Sequence, residues 1–458
     1  MAVRDAVVEK TIMALLDGRK YKTLKEMLAT MNPADIAAVF EKLDRERIPI
    51  LFRLLPKETA ADAFAELDPA TQETLIVGFS DTELREVVSE LFVDDAADLV
   101  EEMPANVVKR ILAQADPQKR REINEILRYP ENSAGSIMTT EYISLHPDET
   151  VAQAIERIRK TGVNKETIYT CYVTEGRKLV GTVSVKDLLL TRDDDAPVSS
   201  IMDGNVISVG TLTDQEEVAQ TLSRYNFLAM PVVDTDGRMV GIVTFDDAMD
   251  VIEEETTEDI EIMAGITPSE KTYLRSNALD LFKHRIPWLM LLMVSATFTS
   301  MIITGFESAL AAQVVLTAFI PMLMDTGGNS GSQASVTIIR ALSLGELEFR
   351  DLPGVVWKEI QTAVLCGVAL AALCFLKIMT IDRLLLGNSA ITPMTAFVVC
   401  TTMAVTVLIA KVVGCTLPMC AKKVGFDPAV MASPFITTIV DALSLLVYFG
   451  ITSALLFR

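Results

Sequence analysis

Asp441 demands a chemical explanation before any other residue. It lies in Ile436-Thr-Thr-Ile-Val-Asp441-Ala-Leu-Ser-Leu-Leu-Val-Tyr-Phe449, within a run from Ala429 to Phe457 that is otherwise apolar or small. Such a run is long enough to cross a bilayer. A carboxylate at the centre of a membrane helix costs roughly 2.5–3.5 kcal/mol, so it faces an aqueous path, or is paired or protonated. A second stretch with chemical potential is Pro321-Met-Leu-Met-Asp325-Thr-Gly327-Gly328-Asn329-Ser-Gly331-Ser-Gln333. Three glycines with Asn and Gln suggest a break in the helix, tolerated at membrane depth only where it is buried in protein or lines a wet cavity. Freed carbonyls and the Asn329 amide oxygen would be hard donors, suited to Mg²⁺ or Ca²⁺. The alternative is a helix-end loop beyond the membrane. A phosphate loop is excluded, because GxxxxGK[ST] is absent.

The third stretch is acidic: Asp246-Asp247-Ala-Met-Asp250-Val-Ile-Glu253-Glu-Glu255-Thr-Thr-Glu258-Asp259. On a helix, Asp247, Asp250 and Glu254 share one face, as do Glu255, Glu258 and Asp259, and like charges at this spacing repel unless a cation bridges them. A solvated acidic helix is the competing account. Asp427 is similarly double: in Phe426-Asp427-Pro428 it suits an N-cap followed by proline at N1.

These residues must be positioned by a chain of two halves. The 458 residues are 50% hydrophobic, yet the formal net charge is −21. From Ile286 onward there are nine Lys/Arg and nine Asp/Glu, so residues 1–285 carry 32 basic and 53 acidic residues and the whole imbalance. An acidic soluble half joined to a neutral membrane half has no basic face for nucleic acid. The opening Met-Ala-Val-Arg-Asp-Ala-Val-Val-Glu-Lys has no apolar core of signal-peptide length, so no secretory leader is expected. None of the six cysteines forms a CxxC, and five lie in or beside apolar segments as packing residues. With two histidines and no Ser/His, Cys/His or HExxH set, no enzyme is expected.

Residues 1–130 read as short amphipathic helices punctuated near their starts by Pro33, Pro56, Pro69, Pro104 and Pro117, an α-solenoid pattern. Residues 131–252 are mixed α/β and contain a duplication. Ile137-Met138 recurs as Ile201-Met202, and Leu179-Val-Gly-Thr-Val-Ser184 as Met239-Val-Gly-Ile-Val-Thr244, each closing with Asp187 or Asp247 at a helix start. The duplication resembles a tandem pair of cystathionine-β-synthase-type (CBS) domains, divided here as 131–196 and 197–252. A connecting segment, 253–284, follows. Its basic collar of Lys271, Arg275, Lys283 and Arg285 stands immediately before the first apolar span, a cytoplasmic sign. Five spans are expected within 285–458: about 286–303, 308–324 extending to about 342, 358–380, 390–418 and 429–457. Arg340, Arg350 and Lys358 come after the second span and Lys422 and Lys423 after the fourth, both on the inner side, so the C-terminus is expected outside.

Taken together, GGNSGSQ, the aspartate in the last span, the CBS pair and the acidic connecting helix resemble the MgtE family of magnesium channels over essentially the whole chain. The resemblance implies a multi-domain membrane protein: a helical solenoid N-domain, an α/β CBS pair, an acidic connecting ("plug") helix and a five-helix all-α transmembrane domain. It implies a homodimer in a bacterial inner membrane, with cytoplasmic N-terminal domains and two copies of Asp441 facing each other around a hydrated Mg²⁺. It further implies Asp427 as a membrane-domain cation residue. Glu216, Asp247, Asp250, Glu255, Glu258 and Asp259, with Asp94 or Asp95, would form a Mg²⁺-sensing set that closes the pore at high Mg²⁺. Tyr169, Asp187 and Phe227 would be candidates for ATP at the CBS pair. Ser433-Pro434 departs from the asparagine that family members can carry before this proline. Two other accounts stay open: a coupled carrier of the same architecture, and a membrane-tethered CBS sensor.

Overall fold

The structure is a computed structural model. It describes residues 2–269, 273 and 276–456, with the side chains of 2–7, 308, 309, 312 and 433 excepted. Lys271, Arg275, Ser433's side chain and Phe457 therefore lie outside the described residues. The chain divides into two compact units, Met1–Ile252 and Glu253–Arg458.

The first unit begins with ten helices, α1 (Ala2–Asp17) to α10 (Pro117–Ile126). The prolines act where the sequence placed them. Pro33, Pro69 and Pro117 occupy the first turn of α3 (Pro33–Phe40), α6 (Pro69–Gly78) and α10, each behind a capping side chain, Asn32, Asp68 or Asp116. The fixed φ of proline suits that turn and its missing N–H has no partner to lose there. α3, α5 (Lys57–Ala65), α7 (Asp81–Glu90) and α9 (Ala105–Gln114) stack each upon the next-but-one, the arrangement of a helical solenoid. One continuous apolar core runs through them. At its middle Phe52, Phe64 and Phe79 have ring centroids 5.1–6.4 Å apart.

Two three-stranded sheets follow: β1 (Ser144–Leu145), β2 (Thr170–Glu175), β3 (Lys178–Ser184), and β4 (Val209–Gly210), β5 (Ala229–Val233), β6 (Met239–Thr244). In each, the first strand is parallel to the second and the second antiparallel to the third. A helix crosses between the parallel strands, α11 (Val151–Thr161) or α13 (Gln215–Tyr225). The repeated dipeptides have a structural purpose. A Cβ at Gly181 would stand 2.6 Å from the Met202 sulfur, and one at Gly241 would stand 2.7 Å from the Met138 sulfur. Each repeat thus seats its methionine on the bare glycine of the other. The short helix α12 (Val185–Leu190) and the long α14 (Phe245–Met263) close the two repeats. α14 is uninterrupted, so the second CBS closing helix and the expected connecting helix are one element.

Among the described residues, the second unit holds five long helices: α15 (Ala278–Gly305), α17 (Ile320–Ser343), α18 (Leu352–Lys377), α19 (Pro393–Val424) and α20 (Ser433–Leu456), with a short α16 (Glu307–Ala312) after α15. Among the described residues, four have the length and apolarity to cross a membrane; the exception is α17. Here one expectation fails. GGNSGSQ is not a break: α17 runs as a continuous helix through it. Its glycines instead admit neighbouring helices. A Cβ at Gly327 would lie 2.7 Å from Thr406, at Gly328 2.8 Å from Thr437, and at Gly331 2.8 Å from Ile436. Gly414 of α19 meets the Gly331 backbone even more closely. Small residues let membrane helices approach this way, with packing in place of hydrophobic drive. The backbone carbonyls there are spent within the helix, so they are not the freed donors expected from sequence.

Candidate functional site

Asp441 lies in the middle of α20. Its Oδ1 is buried and has no hydrogen-bond partner among the described residues. It borders a cleft of ≈ 370 Å³ between α15, α17 and α20, together with Met324 and Thr438. One helical turn separates Thr438 from Asp441, so both face the same space. Asp325 of α17 is the charged neighbour whose field reaches Asp441. Asn329 donates from Nδ2 to Asp325 Oδ1 (3.0 Å). Asn329 thus ties an amide hydrogen to Asp325, a bond that does not use its amide oxygen. Asp325 was not singled out from sequence, although its i, i+4 spacing from Asn329 is a helical-face signal.

A second carboxylate group lies in the first unit. Ligand oxygens of Asp94, Glu141 and Glu166 stand within 4.8 Å of one another. Asp94, in the first turn of α8 (Val93–Glu102), is only 7% exposed. Its Oδ1 and Glu166 Oε2 are buried without a hydrogen-bond partner among the described residues. Glu141 Oε2 accepts from the Val93 backbone N–H (3.1 Å), which ties it to the start of the same helix. Burial and the charge of Asp247 push Asp95 up to about 6, while Asp94 rises well above the usual carboxylate range through burial, Asp247, Asp95 and Glu166. Asp247 is itself raised to about 6 by burial, although the Thr244 hydroxyl donates to it. Glu166 reaches about 8 through burial and the charges of Asp247 and Asp95. Asp98, one turn on from Asp94, is also raised, first by desolvation in these crowded surroundings; its side chain is exposed at the rim, which screens the effect.

Carboxylate oxygens this close repel one another, and a bound cation would offset that repulsion. Lys119, which is mostly buried, and Lys165 are basic neighbours whose charges reach Glu141. The Lys119 Nζ donates to the Leu91 carbonyl, and burial lowers its pKa. Asp94, Asp95 and Asp247 were named from sequence; Glu141, Glu166 and Asp98 were not. Residues 94, 141 and 166 are too far apart in sequence for spacing to connect them. Asp250 belongs to the same acidic surroundings, where its charge acts on Asp247 and Glu66. Glu216 stands in the first turn of α13 and accepts from Gln220 (3.1 Å).

The second unit gathers a third group. Asp259 Oδ2 accepts from the Ser343 hydroxyl (3.0 Å), and burial raises its pKa against that bond. Glu258 is raised by burial, then by Glu255 and Asp427. Asp427 serves as the N-cap expected of it, its Oδ1 accepting from the Ala429 N–H (2.7 Å), and its charge also reaches Glu258 and Asp259.

At the CBS pair, Tyr169 is 67% exposed. Asp187 accepts from the Ser184 hydroxyl (2.6 Å), the counterpart of Thr244 and Asp247 in the other repeat. Phe227 stacks on Tyr225, 5.5 Å between centroids. One further membrane feature was missed from sequence: Lys411 of α19 lies 3.7 Å from Glu359 of α18, both mostly buried.

Comparison with known proteins agrees over most of the chain. Residues 320–451 match the MgtE divalent cation transporter model, 31–132 the MgtE intracellular N domain, and 134–193 and 198–254 the CBS domain. The magnesium transporter MgtE of Thermus thermophilus is 36% identical over 440 residues, covering 95% of each chain. That of Bacillus subtilis is 32% identical, covering 98% of this chain and 97% of its own. A crystal structure of the cytosolic domain of the Mg²⁺ channel MgtE in complex with ATP is 35% identical, covers 53% of this chain and 99% of its own, and superposes with a TM-score of 0.51. The chain is thus a multi-pass membrane protein whose homologues are transporters, and it belongs to the MgtE family of divalent cation transporters.

Proposed function

We propose that this protein is a homodimeric Mg²⁺ uptake channel of a bacterial inner membrane, closed by Mg²⁺ on its acidic cytoplasmic domains. The observation that carries it is Asp441: a carboxylate with an oxygen unpartnered among the described residues, in a membrane-long helix, beside a cleft partly lined by hydroxyls. Mg²⁺ dehydrates reluctantly and keeps several waters, so one carboxylate per protomer, facing its copy, suffices to hold it. Asp325, held by Asn329, adds negative potential to the same path.

Regulation rests on the two carboxylate groups. Asp94, Asp95, Asp247 and Asp250, joined by Glu141 and Glu166, form the sensor of the first unit, with Glu216 as a further contributor. Glu255, Glu258, Asp259 and Asp427 form the sensor beside the membrane helices. When Mg²⁺ is abundant it bridges these groups and holds the pore shut. When it falls, their mutual repulsion opens it, because an ion shifts an equilibrium only through preference for one state. The N-terminal domains lie in the cytoplasm and the last span ends outside. Tyr169, Asp187 and Phe227 are the residues we assign to a nucleotide; the ATP complex of the related cytosolic domain supports that assignment.

Rescue of a Mg²⁺-auxotrophic strain by wild type and by Asp441→Ala tests the pore. Equal rescue by the variant refutes it. Single-channel currents separate a channel from a coupled carrier, which gives none, and from a tethered sensor, which conducts nothing.

A further inference from the structure

The cleft beside Asp441 has a second wall. It comes from α15, where Ala296, Thr299, Ser300, Ile303 and Thr304 all line the space. Their places at i, i+3, i+4, i+7 and i+8 put them along one helical face. The large apolar side chains Leu289, Met293, Val294, Phe298 and Met301 of the same helix are exposed elsewhere on its surface. Hydroxyls are thus gathered opposite a carboxylate in an otherwise greasy helix.

The hydrogen bonds determine what those hydroxyls can offer. Thr304 donates its proton to the Ser300 carbonyl (3.0 Å), and Thr438 of α20 donates its own to the Pro434 carbonyl (3.1 Å). A hydroxyl has one donor and two acceptor lone pairs, so each of these oxygens is left as an acceptor. Asp441, when ionised, is also acceptor-only. No cationic side chain lines the cleft among the described residues. A bare cation would be coordinated by so many oxygens only if it shed its waters. A hydrated dication presents the complementary surface, because its bound waters point their hydrogens outward.

We infer that Thr299, Ser300 and Thr304 of α15, with Thr438, form an outer-sphere acceptor surface that reads the hydration shell of the cation held at Asp441. This rests on the pore assignment of Asp441 and adds selectivity determinants from a different helix. The surface favours an ion that keeps its shell, as Mg²⁺ does, over one that sheds water readily, as Ca²⁺ does. The bland alternative is that these hydroxyls merely satisfy their own helix.

Hexaamminecobalt(III) distinguishes the two. It is an exchange-inert mimic of hydrated Mg²⁺ that binds by its charge and by donating hydrogen bonds outward, never by direct coordination. The measurement is block of Mg²⁺ flux through the full-length protein in liposomes. The isosteric Thr304→Val/Thr438→Val variant should still carry Mg²⁺, with the half-blocking concentration raised about tenfold, the equivalent of about 1.4 kcal/mol. Its preference for Mg²⁺ over Ca²⁺ should fall in parallel, and Thr304→Ser/Thr438→Ser should restore both. Unchanged block and preference in the valine variant, with Asp441→Ala inactive, overturns the inference and leaves the pore intact. If the serine variant behaves like the valine one, the effect is packing and the inference falls. Flux through Asp441→Ala equal to wild type overturns the pore assignment itself.

Discussion

The carboxylates of the first unit make the most demanding prediction, because their energetics have a sign. Glu166 is raised from 4.5 to about 8, and Asp95 and Asp247 from 3.8 to about 6. A raised carboxylate pKa means the folded state holds its proton more tightly than the unfolded chain does. The stability so contributed is complete below the unfolded value and is lost as pH rises through the folded one. In the absence of divalent cation, this unit should therefore weaken steadily between pH 4.5 and 8. At about 1.36 kcal/mol per pKa unit, Glu166 alone corresponds to on the order of 4–5 kcal/mol. Solvent screening at this half-buried side chain reduces that figure. The shifts also share charges and do not add, so we expect a loss on the order of 3 kcal/mol. Mg²⁺ should replace the protons and flatten the profile. At 100 times its Kd it restores about 2.7 kcal/mol. Asp94→Asn removes the most buried carboxyl of the group, so it should lessen the loss of stability towards pH 8 without cation and blunt the Mg²⁺ response. Calorimetry of the full chain in detergent, with chelator or Mg²⁺, reads both through the transition of the cytoplasmic domains. Stability that rises from pH 6 to 8 without cation, or an Asp94→Asn protein with an undiminished Mg²⁺ response, refutes the reasoning.

Three other expectations follow from the geometry. Gly331→Ala places a methyl against Ile436 and the Ala410 carbonyl and should cost about 1–3 kcal/mol of thermal stability; Gly354→Ala, with nothing nearby, should cost none. Lys411→Met or Glu359→Gln alone leaves a buried charge unpaired and should destabilise by about 3–5 kcal/mol, while Lys411→Met/Glu359→Met should recover most of it in the same melting assay. Asp427→Asn keeps an N-cap acceptor but lowers the charge near Glu258 and Asp259. Protection of the 253–269 segment from limited proteolysis should then require more Mg²⁺ than in wild type, without a lower melting temperature.

How far these sites could be seen in advance depended on whether their logic was local. Proline and cap residues placed the helices of the solenoid because they act on their own turn. The CBS duplication was visible because both copies must satisfy the same close approach, a glycine beneath a methionine, although only the fold shows that the two copies exchange partners. Asp441 stood out because a charge in an apolar run is costly wherever the helix lies.

GGNSGSQ misled because its composition suits two structures. Glycines break an isolated helix, but they permit a packed one, and the choice belongs to Thr406, Thr437 and Ile436 on other helices. Glu141 and Glu166 were silent for a related reason: each is an ordinary surface residue until folding brings it against Asp94. The sequence by itself determined the two-part character of the chain, its repeats, and the presence of an expensive carboxylate in the last span. Only tertiary structure decided which oxygens lack partners, which hydroxyls face Asp441, and which acids share a site. Burial and pairing depend on neighbours far along the chain, and sequence spacing encodes neither.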